Sequence, residues 1–372
     1  MNQIPYQSCI VELLDNLPEA QRIEHVAPQT NISCVIGIAG FEPRCYAAAQ
    51  SMQSLGWSTR STVCVRYSNT GMEAPNRKYY EKLCVRLTAI GDGVAPRNVE
   101  HDDHRVDLGF GDQIIRDLRD MDVDIESDQT HIVFDITVGS SRLLLEGIHA
   151  LLQTDVRLTL TYTEVARYRP SFDEYRRHLD EARVRQVEPQ EFLTRGVDRV
   201  EILKTIPGQN ADSRPAYLVV FPAFAFSRVS AVIDELAPSR VQWIFGIPHL
   251  VENRWRIDAQ RGYHQSLIEQ SHRHCYVSTI DYRETLQVLE RTYQKRHEDY
   301  GLFVASLGSK MQKVGQVLFH VLRPEVAAVV SIPRIWNEER FSGKTPRAVY
   351  SLDLGSCREL RDALWKTRRL RV

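Results

Sequence analysis

Several signatures that would announce a chemistry are missing from this chain. The GxxxxGK(S/T) spacing of a P-loop is absent, and no strand-like run is followed by GxGxxG. No HExxH or CxxC pair offers a metal-ligand spacing, and no GxSxG elbow presents a serine nucleophile. No run approaches the roughly 20 apolar residues of a membrane span. The start, MNQIPYQSCIVELLDNLPEA, lacks the basic opening and long apolar core of a signal peptide. Neither charge sign dominates: 47 Lys and Arg face 48 Asp and Glu, for a net charge of −1. Long-range attraction to duplex DNA, RNA or an anionic membrane is therefore not expected, although a local basic pocket stays open. The seven cysteines are odd in number, and several lie inside apolar runs where a free thiol behaves as a small hydrophobe. A reduced, soluble, cytoplasmic protein is the expectation.

What is present is a regular alternation. The 372 residues, 43% hydrophobic and 26% charged, suit a globular protein of two domains. SCVIGIAG (33–40), STVCVRYS (61–68), HIVFDIT (131–137) and VRLTLTYTEV (156–165) predict strands, separated by helices near 46–56, 76–91, 112–121 and 141–153. A short strand is expected at 105–109. The rhythm breaks over 166–215, a charged connector with an amphipathic helix, and resumes at AYLVVFPAF (216–224). Strands are then expected at 241–247, 275–280, 301–308 and 325–333, with helices over 227–236, 262–272, 282–297 and 310–322. Continuous apolar strands alternating with helices predict parallel sheets covered on both faces. The expected layout is a lead-in (1–30), a first Rossmann-like lobe (31–165), the connector (166–215), a second Rossmann-like lobe (216–333), and a tail with a basic helix (334–372).

The two lobes look like copies. FDITVGSSRLLLEGIHALLQTDVRLTLTY and FVASLGSKMQKVGQVLFHVLRPEVAAVVS each hold a strand, a Gly-Ser turn and a basic residue. A glycine follows the basic residue by five positions in both, so Arg142 is matched to Lys310 and Gly147 to Gly315. A weaker likeness places Arg44 and Arg228 alike, where a helix starts after the first strand of each half.

A cation at a helix start is unfavourable by up to about 1 kcal/mol, because the first turn already carries unpaired N–H groups and partial positive charge. An anion there reverses the sign, and phosphate is the usual one. In an open parallel sheet, ligands gather beyond the carboxyl ends of the strands, at the switch point in strand order. Arg44, Arg142, Arg228 and Lys310 are all expected on that edge, with Gly139, Ser140, Gly308 and Ser309 forming tight turns that admit a ligand. Glu42, Tyr67, Asn69, Asp135 and Thr137 would share the edge, an amide and an aromatic ring being able to read and stack a base. The ordinary alternative is that each basic residue pairs with a carboxylate or points to water. HDDH (101–104) with Asp107 is expected to be a solvated acidic loop rather than a metal site, and HRHC (272–275) a helix-to-strand junction. Neither a metal nor a cofactor is expected.

FDITVGSSR resembles the Thr-Gly-Gly-Thr-Lys-like turn after the central strand of CRISPR-associated Rossmann-fold (CARF) sensor domains. Thr137, Gly139, Ser140 and Arg142 take those places, with Ser140 replacing the second glycine. The second copy, SLGSK, lacks the preceding threonine. The SAVED domains of bacterial antiphage systems resemble two such units in one chain. The resemblance implies a nucleotide sensor, binding a cyclic oligonucleotide or another nucleotide-type anion, in a defence complex with protein partners. A competing reading is a phosphate-ester hydrolase or nucleotide-modifying transferase at the same edge, with Glu42, Asp135 and Lys310 as acid, base or electrophile. A third is an interaction scaffold whose basic residues meet acidic partner surfaces.

Overall fold

Runs such as VIGI, HIVFD, YLVVF and GLFVAS have no polar alternation, so each suits a strand buried on both faces. The computed structural model builds two α/β units from them. It describes residues 6–68, 73–105, 109–185, 194–208, 214–268, 273–336 and 345–369. One unit is Met1–Ala166 with Lys344–Val372, and the other is Arg167–Gly343.

The first unit opens with α1 (Tyr6–Asn16), β1 (Gln21–Arg22), β2 (Ile32–Ile38), α2 (Ala47–Ser54), β3 (Thr59–Tyr67), α3 (Glu73–Ile90) and β4 (Arg97–His101). It continues with α4 (Phe110–Asp120), β5 (His131–Asp135), α5 (Ser141–Leu152) and β6 (Arg157–Val165). The second unit begins with α6 (Phe172–Arg185), β7 (Thr194–Ile202), β8 (Ala216–Phe221), α7 (Phe226–Leu236), β9 (Arg240–Ile247), α8 (Trp255–Tyr263) and α9 (Gln265–Ile268). It ends with β10 (Arg273–Ser278), α10 (Tyr282–Arg296), β11 (Gly301–Ser306), α11 (Lys310–Leu322) and β12 (Ala327–Trp336). The chain then returns to the first unit as β13 (Pro346–Ser356) and α12 (Cys357–Arg369).

The sheets run β1-β13-β6-β5-β2-β3-β4 and β10-β9-β8-β11-β12-β7. Strands β4-β3-β2-β5-β6 are parallel throughout, as are β10-β9-β8-β11-β12. Each set gains one antiparallel neighbour, β13 on β6 and β7 on β12. The two lobes therefore share one Rossmann-like order, with switch points between β2 and β5 and between β8 and β11. Gly147 and Gly315 do the same packing job in each. A Cβ on Gly147 would lie 2.8 Å from the Phe110 ring of α4, and one on Gly315 would lie 2.3 Å from the Tyr282 carbonyl oxygen of α10.

Three expectations need adjustment. The strand expected at 105–109 falls at residues 106–108 outside the described residues; the strand described before α4 is β4, where only Val99 and His101 face inward, so RNVEH shows no apolar run. The helix expected over 262–272 is α8 and α9, parted at His264, while residues 269–272 lie outside the described residues. The tail expected over 334–372 supplies β12's last residues, then β13 and α12, which cover the open edge of β6. Among the described residues no helix is long and apolar enough to cross a membrane.

Candidate functional site

The strand order brings the loop after β2 beside the loop after β5, and the loop after β8 beside the loop after β11. In the first lobe this edge is filled and its charges are matched. Arg44 makes a bidentate contact with Glu42, at 3.0 Å and 2.6 Å, and donates to the Thr163 carbonyl at 3.1 Å. Asp135 accepts from the Thr137 amide at 3.1 Å, and the Thr137 hydroxyl both donates to Asp135 and accepts from the Thr163 amide. Burial pushes the Asp135 carboxyl up to about 7, against the Thr137 hydrogen bonds and the Arg44 charge. A Cβ on Gly139 would meet Leu144 at 2.5 Å, so this glycine serves close packing.

Ser140 caps α5, accepting from the Leu143 amide at 3.1 Å. Its own amide donates to the Tyr67 hydroxyl at 2.6 Å, and its hydroxyl donates to Asp103 at 2.7 Å. Asp103 also meets His101 Nε2 at 2.9 Å. Burial opposes a charge on Asp103, yet hydrogen bonds from His101 and Ser140, with the charge of Arg142, hold it below the usual carboxylate range. Arg142, 3% exposed, donates to the carbonyls of Asp103 (3.0 Å) and Arg105, and meets Glu146 at 3.4 Å. Glu146 in turn accepts from the Phe110 amide at 2.7 Å. Arg142 thus holds the loop after β4 to the start of α5 and α4. The HDDH segment, expected to be solvated, has His101 and Asp103 buried inside this network. Asn69 and Asp107 lie outside the described residues.

The second lobe repeats the frame with different charges. Ser309 caps α11, accepting from the Gln312 amide at 3.1 Å, and Gln312 returns a bond from the Ser309 amide at 2.8 Å. The Ser309 hydroxyl donates to the Thr279 carbonyl, in the loop after β10, as Ser140 donates to Asp103 after β4. Arg228 donates to the Ser331 carbonyl on β12 at 3.1 Å, the counterpart of the bond from Arg44 to Thr163 on β6. Counted from the caps, however, Arg142 is the second residue of its helix and Lys310 the first. That offset turns the two side chains apart by about 100° around the helix axis. Lys310 is half-buried, where Arg142 is buried.

Two features of this lobe escaped the sequence reading. Phe226 stands two residues before Arg228, where Glu42 precedes Arg44, so the bidentate carboxylate is missing from that place. Lys313, 2% exposed, folds back to donate to the Gly308 carbonyl at 2.8 Å. Burial depresses its ammonium well below the ordinary lysine value, and the charges of Lys310 and Arg228 depress it further. The Gln312 side-chain nitrogen, also buried, has no hydrogen-bond partner. It lies beside Gly246 at the end of β9, where a Cβ would approach it to 3.2 Å. KMQKVGQVL places Lys313 one turn after Lys310 but gives no sign that its side chain turns back to a carbonyl. Among the described residues, no group of three His, Cys, Asp or Glu side chains is placed to hold a metal ion.

No protein-family model and no curated protein sequence matches the chain. Among solved structures, a type III CRISPR defence DNA nuclease activated by cyclic oligoadenylate aligns with 76% of this chain at 8% identity and a TM-score of 0.45. The alignment spans 63% of that nuclease. UDP-GlcNAc 2-epimerase from Neisseria meningitidis, bound to UDP-GlcNAc, aligns with 74% of this chain and 77% of its own, at 9% identity and a TM-score of 0.21. Superpositions this loose convey no shared activity.

Proposed function

We propose that the second lobe binds the phosphate of a nucleotide-type ligand at the start of α11, and that the protein is a nucleotide sensor read by protein partners. The observation that carries this reading is Lys313. A buried ammonium with one carbonyl acceptor, among like charges and beside a helix N-terminus, is destabilising unless an anion completes its surroundings. A phosphate oxygen would take the remaining protons of Lys313, the idle Gln312 amide and the charge of Lys310. The resemblance of FDITVGSSR and SLGSK to CARF and SAVED turns points to a cyclic oligonucleotide and to bacterial antiviral defence. The enzymatic reading is favoured by the burial of Asp135, which pushes its carboxyl up to about 7, toward the range of a general base.

The test is thermal shift and calorimetry of the full chain against inorganic phosphate, mononucleotides, dinucleotides and cyclic oligonucleotides, with product analysis by mass spectrometry. Binding without turnover, lost by about tenfold or more in Lys313→Met, supports the sensor. Turnover of a bound ester replaces it with the hydrolase reading. An undiminished response in Lys313→Met removes this site, and no response to any member removes both nucleotide readings.

A further inference from the structure

Away from both switch points, the first lobe carries a pair of thiols under one helix. Cys64 lies on β3 in register with Asn98 on β4, so both side chains rise on the same face. That face is covered by α3. Tyr80 of α3 donates to the Asn98 side chain at 2.6 Å, and Cys84 follows Tyr80 by one helical turn. Tyr80 and Cys84 both pack on the core cluster that contains Cys64, Leu83 and Leu87. Cys64 is fully buried, whereas Cys84 is partly exposed and lines an open cavity of 520 Å³ with Tyr80, Glu81, Val85, Thr88, Ala95, Pro96 and Asn98. Cys84 is partly exposed at the cavity wall and Cys64 is buried in the cluster beneath α3, an accessible thiol and a sheltered one in the same core, as an attacking and a resolving cysteine require.

We infer that Cys84 and Cys64 form a thiol-oxidation site, at which a low-molecular-weight disulfide entering the cavity is reduced and the two cysteines become linked. The Cys84 thiolate attacks one sulfur of the disulfide RSSR; that S–S bond breaks, RS⁻ leaves and takes up a proton, and a mixed disulfide remains on Cys84. Cys64 then loses its proton and attacks the Cys84 sulfur, expelling the second RS⁻, which is protonated in turn. Two protein thiols are oxidised and RSSR is reduced to two RSH, so atoms and electrons balance.

The surroundings favour this order of attack. The hydrogen bond with Cys64 draws the Cys84 thiol down to about 7 in spite of its burial. The same hydrogen bond, with burial, pushes the Cys64 thiol up. Burial drives Cys34, Cys45 and Cys357 up to about 12, and raises Cys275 as well. A lowered thiol carries more thiolate at neutral pH than an ordinary cysteine, though lower basicity dulls its nucleophilicity, so Cys84 is expected to react first.

The full chain is incubated with oxidised glutathione, alkylated, and followed by intact mass and non-reducing peptide mapping. The expected product is lighter by two hydrogen atoms and carries a Cys64–Cys84 cross-linked peptide. Cys64→Ser should stop at a stable glutathione adduct on Cys84, and Cys84→Ser should leave Cys64 as the thiol. A wild-type chain in which Cys84 stays free, keeps glutathione, or pairs with another cysteine overturns the inference. This readout on the unmutated chain holds whether or not either variant folds, and it is independent of nucleotide binding.

Discussion

The two lobes share a sheet order, a pair of serine caps and a pair of buried arginines, and they balance charge in opposite ways. In the first, Glu42 meets Arg44, Glu146 meets Arg142, and Asp103 accepts from Ser140 beside His101. In the second, Phe226 occupies the place of Glu42, and the charges acting on buried Lys313 are both positive. A buried charge is tolerated when it is paired and hydrogen-bonded, and is costly otherwise. The same scaffold is thus closed by its own carboxylates in one lobe, while in the other the buried Lys313 meets a carbonyl and like charges, which is where the proposed anion would act. What distinguishes a ligand cleft from a packed strand edge is a few side chains rather than the fold.

The most direct way to break this comparison is to remove one cation from each lobe. Arg142→Met would strand two carbonyls and the Glu146 carboxylate, and should lower stability by about 3–5 kcal/mol, the usual cost of halving a buried pair. Lys313→Met should act the other way, raising the stability of the ligand-free protein by about 1–3 kcal/mol, because it removes a poorly solvated ammonium and leaves one carbonyl behind. Urea midpoints of the two variants check this. If both fall together, Lys313 is an ordinary structural side chain and the contrast between the lobes collapses.

Much of the fold was legible because it rests on periodicity. Runs such as HIVFD and GLFVAS, short, apolar and rich in β-formers, suit doubly buried strands, and the Gly-Ser turns mark helix starts in both lobes. β4 went unseen because RNVEH buries only alternate residues, and His101 and Asp103 were read as solvated because hydropathy sees their charge and not their partners. The match of Arg142 to Lys310 followed Gly147 and Gly315, whereas the helices are in step at their caps; the extra serine of GSSR against GSK carried no weight until Ser140 and Ser309 were seen to do the same job. Lys313 went unremarked because no local pattern tells a lysine that snorkels to water from one that turns back to a carbonyl.

Asp135 sharpens the comparison through pH. Burial pushes its carboxyl up to about 7 in the folded chain, from the ordinary value of 3.8 that holds in the unfolded chain. The folded state therefore binds the extra proton between these values, and stability falls as pH rises through that window. Asp135→Asn keeps an acceptor for the Thr137 amide and removes the titration. Relative to wild type it should gain roughly 2 kcal/mol on going from about pH 5 to about pH 8, measured by urea denaturation at both. A difference that does not change with pH would mean that Asp135 is ionised at neutral pH, and would remove the support that its raised carboxyl lends to an acid–base role at the first lobe's edge.

The smallest effect compares the two caps. Ser140→Ala and Ser309→Ala each delete one side-chain acceptor for a helix amide, worth about 1 kcal/mol. Each also deletes a donor, and here the lobes part. Ser140 donates to a buried carboxylate, a bond of about 1.5–3 kcal/mol, while Ser309 donates to the neutral Thr279 carbonyl, a bond of about 0.5–1.5 kcal/mol. The reciprocal bond from the Ser309 amide to Gln312 uses backbone and survives the substitution. Ser140→Ala should therefore lose more stability than Ser309→Ala, by on the order of 1 kcal/mol, read as the difference in thermal midpoints at neutral pH. Equal losses would show that Asp103 contributes no more to its cap than a backbone carbonyl does, and that the carboxylates of the first lobe are not what closes it.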